Sequence, residues 1–279
     1  MGSLASYDGT KIGYRTLGDG AALICLPGGP GRTCEYFGDL GGLSLHRRLI
    51  MPDTRGTGLS EPPADPASYR CDRLVEDVES LRAHLGLDRV DLLGHSAAGN
   101  QATLYAAAYP DRLAHLILLT PVLDALGVEI TEDQQRAALE RRSAQPWYPE
   151  ALAAVAKADA GDDSDEVRRA YMPFFYGRWD DAARAHLAAG NSERSRPARD
   201  GFRAAGAFNP AATREAVRTF AAPVLLYAGE LDFAPTPEAA AEAARLFPNA
   251  TVTVQPGGGH FPWLDDPAFF TTAITSFLS

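Results

Sequence analysis

Short apolar runs alternate with longer amphipathic stretches over most of the 279 residues. Ala21-Ala22-Leu23-Ile24-Cys25-Leu26 is apolar on consecutive positions and predicts a strand buried on both faces, ending at Pro27-Gly28-Gly29-Pro30-Gly31. Leu49-Ile50-Met51, Val90-Asp91-Leu92-Leu93, Leu116-Ile117-Leu118-Leu119, Val224-Leu225-Leu226-Tyr227-Ala228 and Val252-Thr253-Val254 repeat the pattern. Between the strands the period lengthens. Leu74, Val75, Val78, Leu81 and Leu85 fall on one helical face, with Asp72 the expected N-cap and Gly86 the stop. Ala97 to Tyr109 predicts a helix that stops before Pro110, and Pro237 to Phe247 predicts another. A closing helix carries Phe269, Phe270, Ile274 and Phe277.

Strand–helix alternation of this kind builds an α/β fold, a mostly parallel sheet flanked by helices. Such sheets bind ligands at the carboxyl ends of their strands. From Asp124 to Thr213 the rhythm breaks: Ala, Arg, Glu and Asp dominate and no strand run occurs. Gly161-Asp162-Asp163-Ser164-Asp165 and Gly190-Asn191-Ser192-Glu193 read as connectors between helices. The expected organisation is a core of residues 1–123 and 214–279 with a helical cap, 124–213, inserted over the carboxyl edge.

Composition narrows the function classes. No stretch approaches the roughly 20 apolar residues of a bilayer span. A formal charge of −10 disfavours nucleic acid as a partner. The start, Met1-Gly2-Ser3-Leu4-Ala5, lacks the basic and apolar regions of a secretory leader. Cys25, Cys34 and Cys71 show no CxxC spacing, so the expectation is a cytoplasmic protein without disulfides, metal or cofactor.

The chemistry centres on Leu92-Leu93-Gly94-His95-Ser96-Ala97-Ala98-Gly99, where a strand turns directly into a helix with a serine at the apex. Small neighbours let strand and helix approach, as a nucleophile elbow requires; Ala98 stands where the G-x-S-x-G pattern has its last glycine. A serine hydroxyl needs a base, and the expected chain order is Ser, acid, His. Asp232 follows one buried strand and His260, in Gly257-Gly258-Gly259-His260, follows the next. Glu230 and Asp124 are the rival acids. His46, His84, His115 and His186 lack a glycine-rich loop, and His95 is too close in sequence to turn back onto Ser96. The oxyanion donors are expected at the Ala97 amide, on a helix N-terminus, and at Gly29, with Gly28 the fallback. Arg55, in Asp53-Thr54-Arg55-Gly56-Thr57-Gly58-Leu59-Ser60, is expected to pair with a buried carboxylate or carbonyl and fix its loop. In the cap, Phe174, Phe175, Tyr176 and Trp179 are the expected source of an apolar substrate pocket.

With these motifs in hand, the chain resembles α/β-hydrolases of the proline iminopeptidase type over nearly its full length. Residues 27–31 are similar to their His-Gly-Gly-Pro-Gly loop, with Pro27 in place of His. Residues 53–60 match their D-x-R-G-x-G-x-S run, and Ser96, Asp232 and His260 fall on their nucleophile, acid and base. The resemblance implies acyl transfer through a serine on a small-molecule or short-peptide substrate and, in the peptidase branch, cap carboxylates that bind a free amino terminus; Glu132, Glu140, Glu150 and Asp180 are acids available there. An esterase, a thioesterase or a carbon–carbon bond hydrolase uses the same constellation. Haloalkane dehalogenases and epoxide hydrolases need a carboxylate at the elbow. A non-catalytic ligand receptor on this fold is the reading from another class.

Overall fold

The computed structural model describes residues 1–162, 164–190 and 194–279. Eight strands form one sheet in the order β1-β2-β4-β3-β5-β6-β7-β8. They are β1 (Gly2–Ala5), β2 (Lys11–Leu17), β3 (Ala22–Leu26), β4 (Arg48–Pro52), β5 (Val90–His95), β6 (Leu113–Leu119), β7 (Val224–Gly229) and β8 (Ala250–Gln255). From β4 to β8 every pairing is parallel; β1 and β2 add an antiparallel edge. That edge escapes a reading by apolar runs, because β2 (Lys-Ile-Gly-Tyr-Arg-Thr-Leu) buries only part of its length.

Alternate residues of each central strand enter opposite cores, which is why these strands read as unbroken apolar runs. Ile24, Leu92, Leu116, Leu118 and Leu226 face α1 (Cys71–His84), α2 (Ala98–Ala108) and their neighbours. Leu23, Cys25, Leu93, Ile117, Leu225 and Tyr227 pack on the other face with Phe37, Trp263, Phe270 and Ile274. Helix α1 departs from expectation at its start. Arg70 occupies the N-cap, and Asp72 lies in the first turn, where it pairs with Arg70 at 2.9 and 2.7 Å.

Between β6 and β7 the described residues are helical: α3 (Glu132–Glu140), α4 (Tyr148–Asp159), α5 (Asp165–Tyr171), α6 (Asp181–Ala189), α7 (Arg196–Phe202) and α8 (Pro210–Val217). Phe174 joins Leu139, Ala151 and Val155 in a small core of this region. The expected boundary at 213/214 falls inside α8, which packs on α2. Parts of both expected connectors, residue 163 and residues 191–193, lie outside the described residues. The chain closes with α9 (Pro237–Ala244), α10 (Pro262–Asp265) and α11 (Pro267–Phe277). Helix α9 ends three residues before the buried Phe247 that the sequence pattern assigns to it.

Candidate active site

Strand β5 delivers Ser96 into a turn with φ +55°, a conformation that L-residues rarely hold without support from their surroundings. The support is visible. Ser96 N–H donates to Leu119 O at 3.0 Å, and Ser96 O accepts from Val122 N–H at 2.9 Å and Gly99 N–H at 2.8 Å. Gly94 is needed for the close approach of strand and helix, since a Cβ there would lie 2.5 Å from Ala98 O. Ala98 itself is fully packed, so the methyl at the departure from the glycine pattern is accommodated.

Three side chains from three separate strand ends meet at this turn. His260 Nδ1–H donates to Asp232 Oδ2 at 2.7 Å, and Ser96 Oγ–H donates to His260 Nε2 at 2.9 Å, the tautomer following from these partners. Asp232 is 0% exposed, His260 4% and Ser96 8%. Ala234 N–H holds the other Asp232 oxygen at 3.0 Å. The rival acids are engaged elsewhere: Glu230 accepts from Gly257 N–H, and Asp124 pairs with Arg203 at 2.7 Å.

His260 is also gripped from the helical segment between β6 and β7. Its N–H donates to Phe175 O at 2.7 Å, and the Phe175 ring meets the imidazole edge-on at 5.1 Å. A second set of contacts escapes sequence reasoning. Gly28 N–H donates to Tyr36 Oη at 2.7 Å, and Tyr36 O–H donates to His95 Nδ1 at 2.7 Å. His95 Nε2–H then donates to the His260 carbonyl at 2.9 Å, which also accepts from Thr120 Oγ1–H at 3.0 Å. Burial, and then the nearness of His260, hold the His95 pKa well below the usual histidine range, so it stays neutral. Burial pushes the Tyr36 hydroxyl up, so it stays protonated. The loop of residues 27–31 and the His260 backbone are thus tied through one buried network. Its only sequence signal is that His95 precedes the elbow serine.

Gly28 N–H is given to Tyr36, which takes the fallback donor out of play, while neither the Gly29 amide nor the Ala97 amide makes a hydrogen bond among the described residues. A Cβ built on Gly28 would lie 2.6 Å from Ser96 Cβ and 3.3 Å from the Ala97 nitrogen, so this loop runs directly against the turn that carries Ser96.

A cavity of about 620 Å³ opens onto Ser96 and His260. Phe175 lines it, with Tyr171, Met172 and Phe261. Phe174, Tyr176 and Trp179 do not. Phe174, 1% exposed, is packed against Trp147, Tyr148 and Phe233, and Tyr176, also 1% exposed, against His186 and Phe261. Trp179 lies tilted against Tyr176, with the Arg184 guanidinium over its own ring. Neighbouring positions of the short helical turn Met172–Phe175 point in different directions, so adjacency in sequence does not carry over to the cavity wall. Glu132, Glu140, Glu150 and Asp180 are all exposed and outside this wall. Arg55 is fully buried in a bidentate pair with Asp77 at 2.7 and 2.6 Å, and it also reaches Asp8.

Among the described residues, no group of three or more His, Cys, Asp or Glu is placed to hold a metal, and no helix is long and apolar enough to cross a membrane. Residues 21–267 match the family model described as the alpha/beta hydrolase fold, so the chain belongs to that family. It is 35% identical over 171 residues to a proline iminopeptidase of Clostridium botulinum, a stretch covering 59% of this chain and 56% of that protein. The match therefore spans about half the length of such curated relatives; for one from Heyndrickxia coagulans it is 41%. Among solved structures, an esterase from Exiguobacterium antarcticum superposes with a TM-score of 0.75 over 99% of both chains at 20% identity.

Proposed function

We propose that this protein is a serine hydrolase working through an acyl-enzyme, with Ser96 as nucleophile, His260 as general base and then acid, and Asp232 as the group that orients His260. The observation that carries this reading is the unbroken hydrogen-bonded chain from Asp232 through His260 to Ser96, at 2.7 and 2.9 Å. His260 takes the Ser96 proton as Oγ attacks an acyl carbon, then returns it to the leaving group; water repeats the sequence to release the acid. The Gly29 and Ala97 amides stabilise the oxyanion, the Ala97 amide aided by the N-terminal end of α2. The helical segment between β6 and β7, as far as the start of α8, acts as a cap whose Phe175 shields the imidazole from water. The chemistry needs no metal or cofactor, and three buried free thiols suit the reducing cytoplasm.

A fluorophosphonate probe tests the assignment. The wild type should be labelled at Ser96, and Ser96→Ala should lose both the label and at least about 10³-fold in kcat on p-nitrophenyl acetate. An unlabelled wild type with no turnover would favour a non-catalytic ligand-binding protein. A second reading, hydrolysis of an amino-terminal residue from a short peptide, is favoured by the similarity to proline iminopeptidases. Turnover of proline-naphthylamide ahead of p-nitrophenyl and thioesters would establish it.

A further inference from the structure

His260 follows Gly257-Gly258-Gly259, residues whose backbone is freer than that of any other type, so the imidazole owes its place to contacts made outside its own segment. The peptide N–H of His260 is held by Phe175 O at 2.7 Å. Its carbonyl oxygen takes two donors, His95 Nε2–H at 2.9 Å and Thr120 Oγ1–H at 3.0 Å, which fills both lone pairs.

Thr120 makes its bond from an unfavourable backbone. Its φ is +39°, and among the described residues only Leu40 and Ser96 share a positive φ without being glycine. Thr120 alone of the three is β-branched, the side-chain type least suited to this region. The conformation is imposed from both sides. Its own N–H donates to Tyr227 O at 2.7 Å, the preceding Leu119 O accepts from Ser96 N–H at 3.0 Å, and Val122 N–H donates to Ser96 O at 2.9 Å. Packing alone gives no reason for a threonine here. Valine would fill the same volume, glycine would hold the same φ without strain, and the His260 carbonyl already has a donor in His95. What only the hydroxyl adds is a second fixed point on the residue that carries the imidazole. Backbone strain kept at such a place points to a task.

We propose that Thr120 is a positioning residue: with His95 it fixes the His260 carbonyl, and so the reach of Nε2 to Ser96 Oγ. This rests on the serine-hydrolase reading and adds a residue to it. Thr120 is fully buried and stands apart from the cavity wall, so it acts on the reaction through His260 and not on the substrate. Without the hydroxyl, the peptide after His260 turns on the single His95 bond, and a displaced imidazole takes the Ser96 proton more slowly.

The test sets two variants against each other. Thr120→Ser keeps the hydroxyl and loses a methyl; Thr120→Val keeps the shape and loses the hydroxyl. If Thr120 serves packing, Thr120→Val should be the more active; if it serves positioning, Thr120→Ser should be. Two rates are read, kcat on p-nitrophenyl acetate and the second-order rate of fluorophosphonate labelling, with thermal melts to show that each variant is folded. Thr120→Ser should stay within about three-fold of wild type in both, and Thr120→Val should fall about ten-fold in both without a raised KM. Rates for the two variants within about three-fold of each other, or Thr120→Val the faster, would overturn the proposal and leave the serine-hydrolase reading standing. If Thr120→Val does not fold, Thr120→Ala, which differs from Thr120→Ser by the oxygen alone, replaces it with the same expectation. If neither folds, the hydroxyl serves the fold and the proposal falls. If the wild type turns over no ester and takes no label, the serine-hydrolase reading falls. Positioning is then decided by the low-field proton resonance of His260 Nδ1–H against Asp232. A signal kept in Thr120→Ser and lost or shifted in Thr120→Val upholds it; the same signal in both, or none in the wild type, ends it.

Discussion

Gly28→Ala isolates the dependence of the reaction on the distance between the oxyanion loop and the elbow. A methyl on Gly28 would lie 2.5 Å from the His95 carbonyl oxygen, 2.6 Å from Ser96 Cβ and 3.3 Å from the Ala97 nitrogen. Favourable carbon–carbon contact begins near 3.5 Å, so the loop must retreat by about 0.9 Å from Ser96 Cβ. The elbow cannot yield instead, because three hydrogen bonds pin Ser96 to β6, to Val122 and to the first turn of α2. The retreat carries the Gly29 amide with it and stretches the 2.7 Å bond from Gly28 N–H to Tyr36. Displacing an oxyanion donor by about 1 Å costs roughly 10²-fold in kcat, whereas overpacking at this site costs about 1–3 kcal/mol of stability. Gly29→Ala is the comparison. Its methyl meets only Arg32 side-chain carbons, the nearest at 3.3 Å, and the penalty is the strain of φ +83°, about 1–2 kcal/mol. Steady-state kinetics on p-nitrophenyl acetate, with thermal melts alongside, should show Gly28→Ala losing about 10²-fold in kcat and Gly29→Ala about ten-fold or less. A folded Gly28→Ala within about three-fold of wild-type kcat would refute the reasoning, since the loop position would then not matter to the transition state.

Two further outcomes concern stability. Arg55→Met leaves the Asp77 carboxylate without its bidentate partner, and urea unfolding should show a loss of about 3–5 kcal/mol; less than about 1 kcal/mol would mean that the pair does not hold the loop. His186 accepts from Tyr176 O–H at 2.8 Å and donates to Tyr36 O at 3.0 Å, and burial first, then Arg32, lower its pKa from 6.5 to about 4. The unfolded chain takes up that proton near 6.5 and the folded one near 4, so this contribution is complete above 6.5 and erodes as the pH falls from there towards 4. Thermal melts at several pH values should show this decline in the wild type and a shallower one in His186→Gln; identical slopes would remove His186 as a cause.

Much of the fold and of the proposed triad is legible in the sequence, for a reason of chain length. A buried parallel strand, the turn after it and the helix beyond occupy contiguous residues, so Leu92 to Gly99 carries its own geometry in composition and spacing. Asp232 and His260 were legible because each follows a strand of the same sheet, and all such strand ends lie on one edge. The antiparallel β1–β2 edge was not, since half-buried strands owe their pairing to a partner as much as to their own pattern. Nor could local periodicity separate Phe175, which reaches the cavity, from Phe174 and Tyr176, which fill packing sites on either side. The link from Gly28 through Tyr36 and His95 to His260 spans more than 230 residues of chain, and Arg32, Arg168, Arg194, Arg199 and Arg203, which line the cavity, come from the loop after β3, from α5, from α7 and from the stretches flanking α7. Nothing in one segment specifies where another will dock. Such convergence follows from how the segment between β6 and β7 packs on the sheet, and with it the shape of the cavity beside Ser96.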